Sequence, residues 1–131
     1  MKKSLLLILV AIIFFSLFVC GKSDKDYDDY CYMINKVIKD KDFTKGEVAD
    51  NKILLYKDDK KVYEENFEDY DKSYNIKAIR KEENRMFFIL NGVVDDEDGI
   101  VFINGDEDGV MDGIASLERI GGNSYKYKTY K

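Results

Sequence analysis

Histidine, proline and tryptophan are absent from the 131 residues, and cysteine occurs only twice. Without histidine there is no Ser-His or Cys-His pair, no imidazole metal ligand, and no side chain whose ordinary pKa lies close to neutrality. Without proline no linker is punctuated, and the length is that of one small domain. Two cysteines, Cys20 and Cys31, cannot make a disulfide framework. Basic residues are also in deficit, with 21 Lys and Arg against 26 Asp and Glu.

The first twenty residues contain no acid at all and must be read apart from the rest. Met1-Lys2-Lys3 is a positive start, Leu5 to Val19 is apolar apart from Ser16, and Cys20-Gly21 leads into the polar Lys22-Ser23-Asp24. That order is the pattern of an export signal over residues 1–19. The uncharged stretch from Ser4 to Gly21 approaches the roughly 20 residues that span a hydrocarbon core, so a retained N-terminal anchor is the alternative. In either case the lysines stay inside and the remainder is carried out.

Leu17-Phe18-Val19-Cys20 resembles the lipobox of bacterial lipoproteins, in which a leucine stands three residues before a cysteine that is acylated and becomes the new N-terminus. Leu17 and Cys20 fit, whereas Phe18 and Val19 are larger than the small residues the family places there. The resemblance implies lipidation of Cys20, with residues 20–25 as anchor cysteine and tether and 26–131 as one globular domain. Cleavage after Gly21, giving a secreted protein, is the other processing outcome.

A chain beginning at Cys20 loses Lys2 and Lys3, so 19 basic residues face 26 acids and the net charge falls to −7. Such a surface repels nucleic acid and anionic headgroups, and no Lys/Arg stripe with interleaved aromatics offsets it. Attachment to a membrane would come through the N-terminal lipid or anchor.

Tyr27, Cys31, Ile34 and Ile38 recur at helical spacing, with Tyr30 and Val37 widening the stripe, which predicts an amphipathic helix from about Asp26 to Lys41. Cys31 on that stripe reads as a small buried apolar residue. Beyond it the period becomes 2. Ile53–Tyr56 and Lys61–Glu64 flank Asp58-Asp59 as a hairpin, and 75–81 with 85–91 flank Glu82 to Asn84 as a second. Gly99–Ile103, Ser116–Ile120 and 124–130 add strands, with Gly121-Gly122-Asn123 expected to supply positive φ at a turn. The expected fold is α+β, one N-terminal helix on a mainly antiparallel sheet of about six to seven strands. A β-sandwich or small barrel with a helix is the alternative.

Eight of the eighteen residues from Asp95 to Asp112 are acids, in two clusters. In the second, Asn104, Asp106, Asp108, Gly109, Val110 and Asp112 resemble positions 1, 3, 5, 6, 7 and 9 of the calcium loop of EF-hand and dockerin-like proteins. The resemblance implies oxygen ligands from Asn104, Asp106, Asp108 and Asp112 and a carbonyl ligand at Val110. Position 12, an acid in those families, is Ala115 here, so any calcium site would be weak. A solvated acidic turn is the plain alternative. The intervening strand of about five residues is ~17 Å long, which puts the two acid clusters at opposite ends.

All ten tyrosines follow the signal, and Tyr125, Tyr127 and Tyr130 could offer a binding face. Paired carboxylates also serve glycosidases, but a catalytic acid needs an apolar pocket and these acids sit in turn-forming runs. Glu118, between Leu117 and Arg119, is the exception and reads as an outward-facing strand residue. The sequence therefore points to an exported, non-catalytic binding domain whose partner is an unidentified protein or envelope surface. Calcium is the one cofactor it suggests.

Overall fold

A computed structural model describes residues 22–93, 96–105 and 113–130. Helix α1 spans Asp24–Ile38, followed by β1 (Lys45–Ala49), β2 (Lys52–Lys57), β3 (Lys60–Asn66), β4 (Ala78–Glu82), β5 (Arg85–Val93), β6 (Asp96–Ile103), β7 (Ser116–Arg119) and β8 (Ser124–Lys128). The strands form one open antiparallel sheet in the order β3-β2-β1-β4-β5-β6-β8-β7. The protein is thus one helix on an eight-stranded sheet among the described residues, one strand more than the upper expectation and neither a sandwich nor a closed barrel.

The additional strand is β1, whose sequence Lys45-Gly46-Glu47-Val48-Ala49 does not alternate cleanly. Its hairpin partner is set by Asp50-Asn51, both at positive φ (51° and 57°), which suits the twist of a two-residue turn. Asp58 and Asp59 do the same between β2 and β3. The glycines before β8 work differently from the expectation: among the described residues only Gly113 is a glycine with positive φ. At Gly121 an added Cβ would sit 2.7 Å from Ser124 Oγ and 3.0 Å from Asp28 Oδ2, so close approach, not left-handed backbone, is what the position requires.

The helix begins two residues earlier than its apolar spacing predicts and ends three residues sooner, because its caps decide its limits. Ser23 Oγ accepts from the Asp26 N–H (3.2 Å) and Asp26 Oδ2 accepts from the Ser23 N–H (3.1 Å), a closed capping box. These bonds favour the carboxylate, and the Asp26 pKa is lowered. At the other end Lys81 Nζ donates to the carbonyls of Lys39 (2.8 Å) and Lys41 (2.5 Å), supplying the positive charge that a helix C-terminus attracts.

Tyr30, Cys31, Ile34 and Ile38 of α1 pack on Ile53, Leu55, Ile79, Met86, Phe88, Ile100 and Phe102 of the sheet, with Phe43, Phe67 and Ile76 closing the edges of this core. Val37 is exposed, contrary to its expected place on the stripe, and Asn35 on the opposite flank is buried. The other face of the sheet carries a smaller core of Phe87, Val101, Ile103 and Tyr127, packed by Ile114, Leu117 and Tyr125. Strands β5 and β6 are consequently apolar on both faces.

Candidate functional site

Two clefts open at the two ends of α1, about 18 Å apart for the twelve residues from Ser23 to Asn35. The first, of about 400 Å³, lies at the N-terminal end between Lys22, Tyr27, Asn91, Asp98, Lys126 and Lys128. Behind it the loop joining β3 to β4 folds over the helix. Tyr74 stacks on Tyr30 (4.3 Å, 9° between planes) and meets the edge of Tyr27 (5.2 Å), and Lys22 stands 4.8 Å over the Tyr74 ring. Stacking and cation–π contacts of this sort stabilise by about 0.5–1.5 kcal/mol each. Tyr30 OH accepts from the Asp71 N–H (3.2 Å), and burial raises its pKa, so it stays protonated. Asp24 pairs with Lys126 (3.2 Å), tying the first helical turn to β8.

The second cleft, of about 490 Å³, lies at the C-terminal end between Lys39, Lys81, Asn84, Met86, Asn104 and Asn123. Asn104 on its wall makes a reciprocal amide pair with the buried Asn35: Asn35 Nδ2 donates to Asn104 Oδ1 (3.0 Å) and Asn104 Nδ2 donates to Asn35 Oδ1 (2.9 Å). Asn123 Nδ2 also donates to Asn104 Oδ1 (3.4 Å) and to the Ile103 carbonyl (3.1 Å). The pair explains the buried Asn35, since each amide supplies the other with the partners that burial takes away. A polar residue on the edge of an apolar helix stripe was the only sequence signal for it.

Asn104 is also the one described member of the suggested calcium set; Asp106, Asp108, Val110 and Asp112 lie outside the described residues, as does Cys20. Its carbonyl oxygen already accepts from two amides, and a cation would have to compete with both. Among the described residues no group of three or more acidic, cysteine or histidine side chains is arranged to hold a metal. The acids Asp96, Glu97 and Asp98 stand at the start of β6 and Asn104 just past its end, while the second acid cluster lies outside the described residues.

The three tyrosines singled out from the sequence are not brought together as one face. Tyr127 is fully buried, edge-on to Phe87 at 5.2 Å, with its hydroxyl 3.4 Å from Glu97 Oε1. Burial and the Glu97 charge push its pKa up. Tyr125 is half-buried in the same small core, and Tyr130, more exposed, donates to Asp98 (2.9 Å). Glu97 is held in turn by Arg80 (2.6 Å), whose guanidinium lies 4.5 Å over Phe87. This Arg80–Glu97–Tyr127 chain on the face away from the helix was invisible to sequence spacing because it joins three strands. Glu118 is exposed on the edge strand β7.

Hydrogen bonds to the carboxylate lower Asp26, Asp42 and Asp71, and burial raises the Cys31 thiol, so these acids stay ionised and the thiol stays inert. Comparison with protein-family models, curated proteins and solved structures finds no match to the chain. No helix of the described residues is long and apolar enough to cross a membrane.

Proposed function

We propose that the chain is an exported, lipid-anchored protein of the cell envelope whose domain binds another protein or an envelope surface and turns over no substrate. The observation that carries this reading is the capping box at Ser23. Because the helix is capped there, only Gly21 and Lys22 separate its start from Cys20, a reach of about 10 Å. A lipid on Cys20 therefore holds the Lys22–Tyr74 end of the domain against the bilayer surface. The cleft bordered by Asn104 and Asn123 stands at the far end of the helix.

The ionised acids and protonated tyrosines support binding over catalysis, since hydrogen-bond donors and acceptors are abundant and a nucleophile or a base near neutrality is not. Replacing Cys20 by Ala and following metabolic acyl labelling with membrane fractionation tests the anchor. Loss of label is expected, the uncleaved run from Ser4 to Gly21 still being able to hold the chain at the membrane. A label that survives the substitution, or its absence from the unaltered protein, overturns the reading.

A further inference from the structure

Strand β3 is the edge of the sheet, and among the described residues nothing pairs with its outer side. It is long for an edge, at seven residues, and every residue except half-buried Tyr63 is exposed; Val62 keeps 51% of its surface. Edge strands carry free N–H and C=O groups, and lysines and bulges are the usual means of refusing partners. Here both means are present, but the charges are ordered as Lys60-Lys61-Val62-Tyr63-Glu64-Glu65, a sequence that is complementary to itself when run antiparallel.

The backbone phase permits that pairing. Tyr56 turns its carbonyl away from β3 to accept from Thr44 N–H, so its partner Lys61 directs its own backbone groups outward. The register then skips Val62, a bulge, and resumes with Tyr63 opposite Leu55. Phe67 N–H bonds to the Asn51 carbonyl, which fixes the phase beyond the bulge and leaves Glu64 and Asn66 facing outward. Lys61 and Glu64 are thus outward-pointing on either side of the bulge, and their side chains share a face, as their 3.4 Å ion pair requires.

We infer that β3 pairs with β3 of a second copy of this chain, antiparallel and two-fold symmetric, with the axis passing between Val62 and Tyr63. Lys61 then lies opposite Glu64 of the other copy and Lys60 opposite Glu65, on both sides of the axis. Registers that set Lys61 or Glu64 against itself place like charges directly across the ladder and are disfavoured. A foreign strand that brings like charges opposite these positions is disfavoured in the same way, so the edge favours its own sequence. A two-fold normal to the sheet leaves both helices on one face of the joined sheet. One strand pair buries less than the ~1,200 Å² of a stable complex, so the dimer is weak and concentration-dependent.

Two charge-reversed forms of the full chain in detergent test this, followed by sedimentation velocity across a concentration series. The unaltered chain is expected to double in mass as concentration rises. K60E/K61E and E64K/E65K are each expected to stay monomeric, and a mixture of the two to form a one-to-one dimer, because each then supplies the charge the other lacks. All four positions are exposed, and unchanged circular dichroism will show that both variants fold. An unaltered chain that stays monomeric, variants that dimerise alone as well as it does, or a mixture that stays monomeric overturns the proposal.

Discussion

The two strands at the centre of the sheet and the strand at its edge are built on opposite plans. In β5 and β6, Met86-Phe87-Phe88 and Ile100-Val101-Phe102-Ile103 are buried in unbroken runs, because the helix covers one face and the small Tyr127 core covers the other. In β3 only Tyr63 packs against the core, and charges occupy four of the seven positions, Lys60, Lys61, Glu64 and Glu65. A single sheet thus passes from a strand pair that carries the stability to a strand that carries recognition. The lesson is that exposure on this edge is a property of position in the sheet, not of weak local structure, since both turns of the β1–β2–β3 meander are of the two-residue kind that suits strand twist.

The comparison breaks most visibly at its centre. Phe88 is fully buried, edge-on to Phe102 at 5.6 Å, beneath the helix. Truncation to Ala is expected to cost about 3–5 kcal/mol, the lost transfer energy plus the cavity left behind. Denaturant unfolding measures it. A loss comparable to that of an exposed residue would show that the helix does not seal this face.

How much of this was legible beforehand depended on whether the determining contact was local. The Asp58-Asp59 hairpin and the turn between β4 and β5 fell where the period-2 runs and the intervening polar residues put them, because each is decided within about ten residues of chain. Strand β1 was missed, since Gly46 interrupts its pattern; in the fold an added Cβ there would lie 2.9 Å from Leu55 Cδ2, and only the neighbouring strands make that glycine necessary. The helix stripe was legible to within one turn, but whether Val37 or Asn35 lies inward was not. The two flank the stripe, and Asn104, 69 residues away, decides between them. Tyr125 and Tyr127 were read correctly as sharing a strand face, while the burial of Tyr127 depends on Phe87 from another strand.

The amide pair is the next largest test and bears on the cleft. Removing Asn104 leaves the buried Asn35 amide unpartnered, which is expected to cost about 1–3 kcal/mol. Removing Asn35 leaves Asn104, which borders the cleft and still receives Asn123, so the loss should be smaller. Thermal melts of Asn104→Ala, Asn35→Ala and the double variant give the coupling between them, and the double variant should cost less than the sum. Additive losses would mean that the pair is not reciprocal in solution. If the Asn104 loss appeared only with calcium present, its role would be that of a ligand instead.

The smallest expected effect lies at the edge. Val62 sits at the bulge of β3, exposed, with no core contact to lose, so Val62→Thr, which keeps the branched Cβ, should shift the unfolding free energy of the dilute chain by less than ~0.5 kcal/mol. The informative variable is concentration. If β3 serves only to end the sheet, the difference between Val62→Thr and the unaltered chain stays within that bound at every concentration. If β3 meets a second copy with Val62 beside the two-fold axis, the apparent stability of the unaltered chain rises with concentration by mass action. The Thr variant, with a hydroxyl brought against the partner's Tyr63, rises less. The same residue is then neutral to the fold and costly to the assembly, which is the distinction between a strand that is merely outermost and one whose exposed surface has a use.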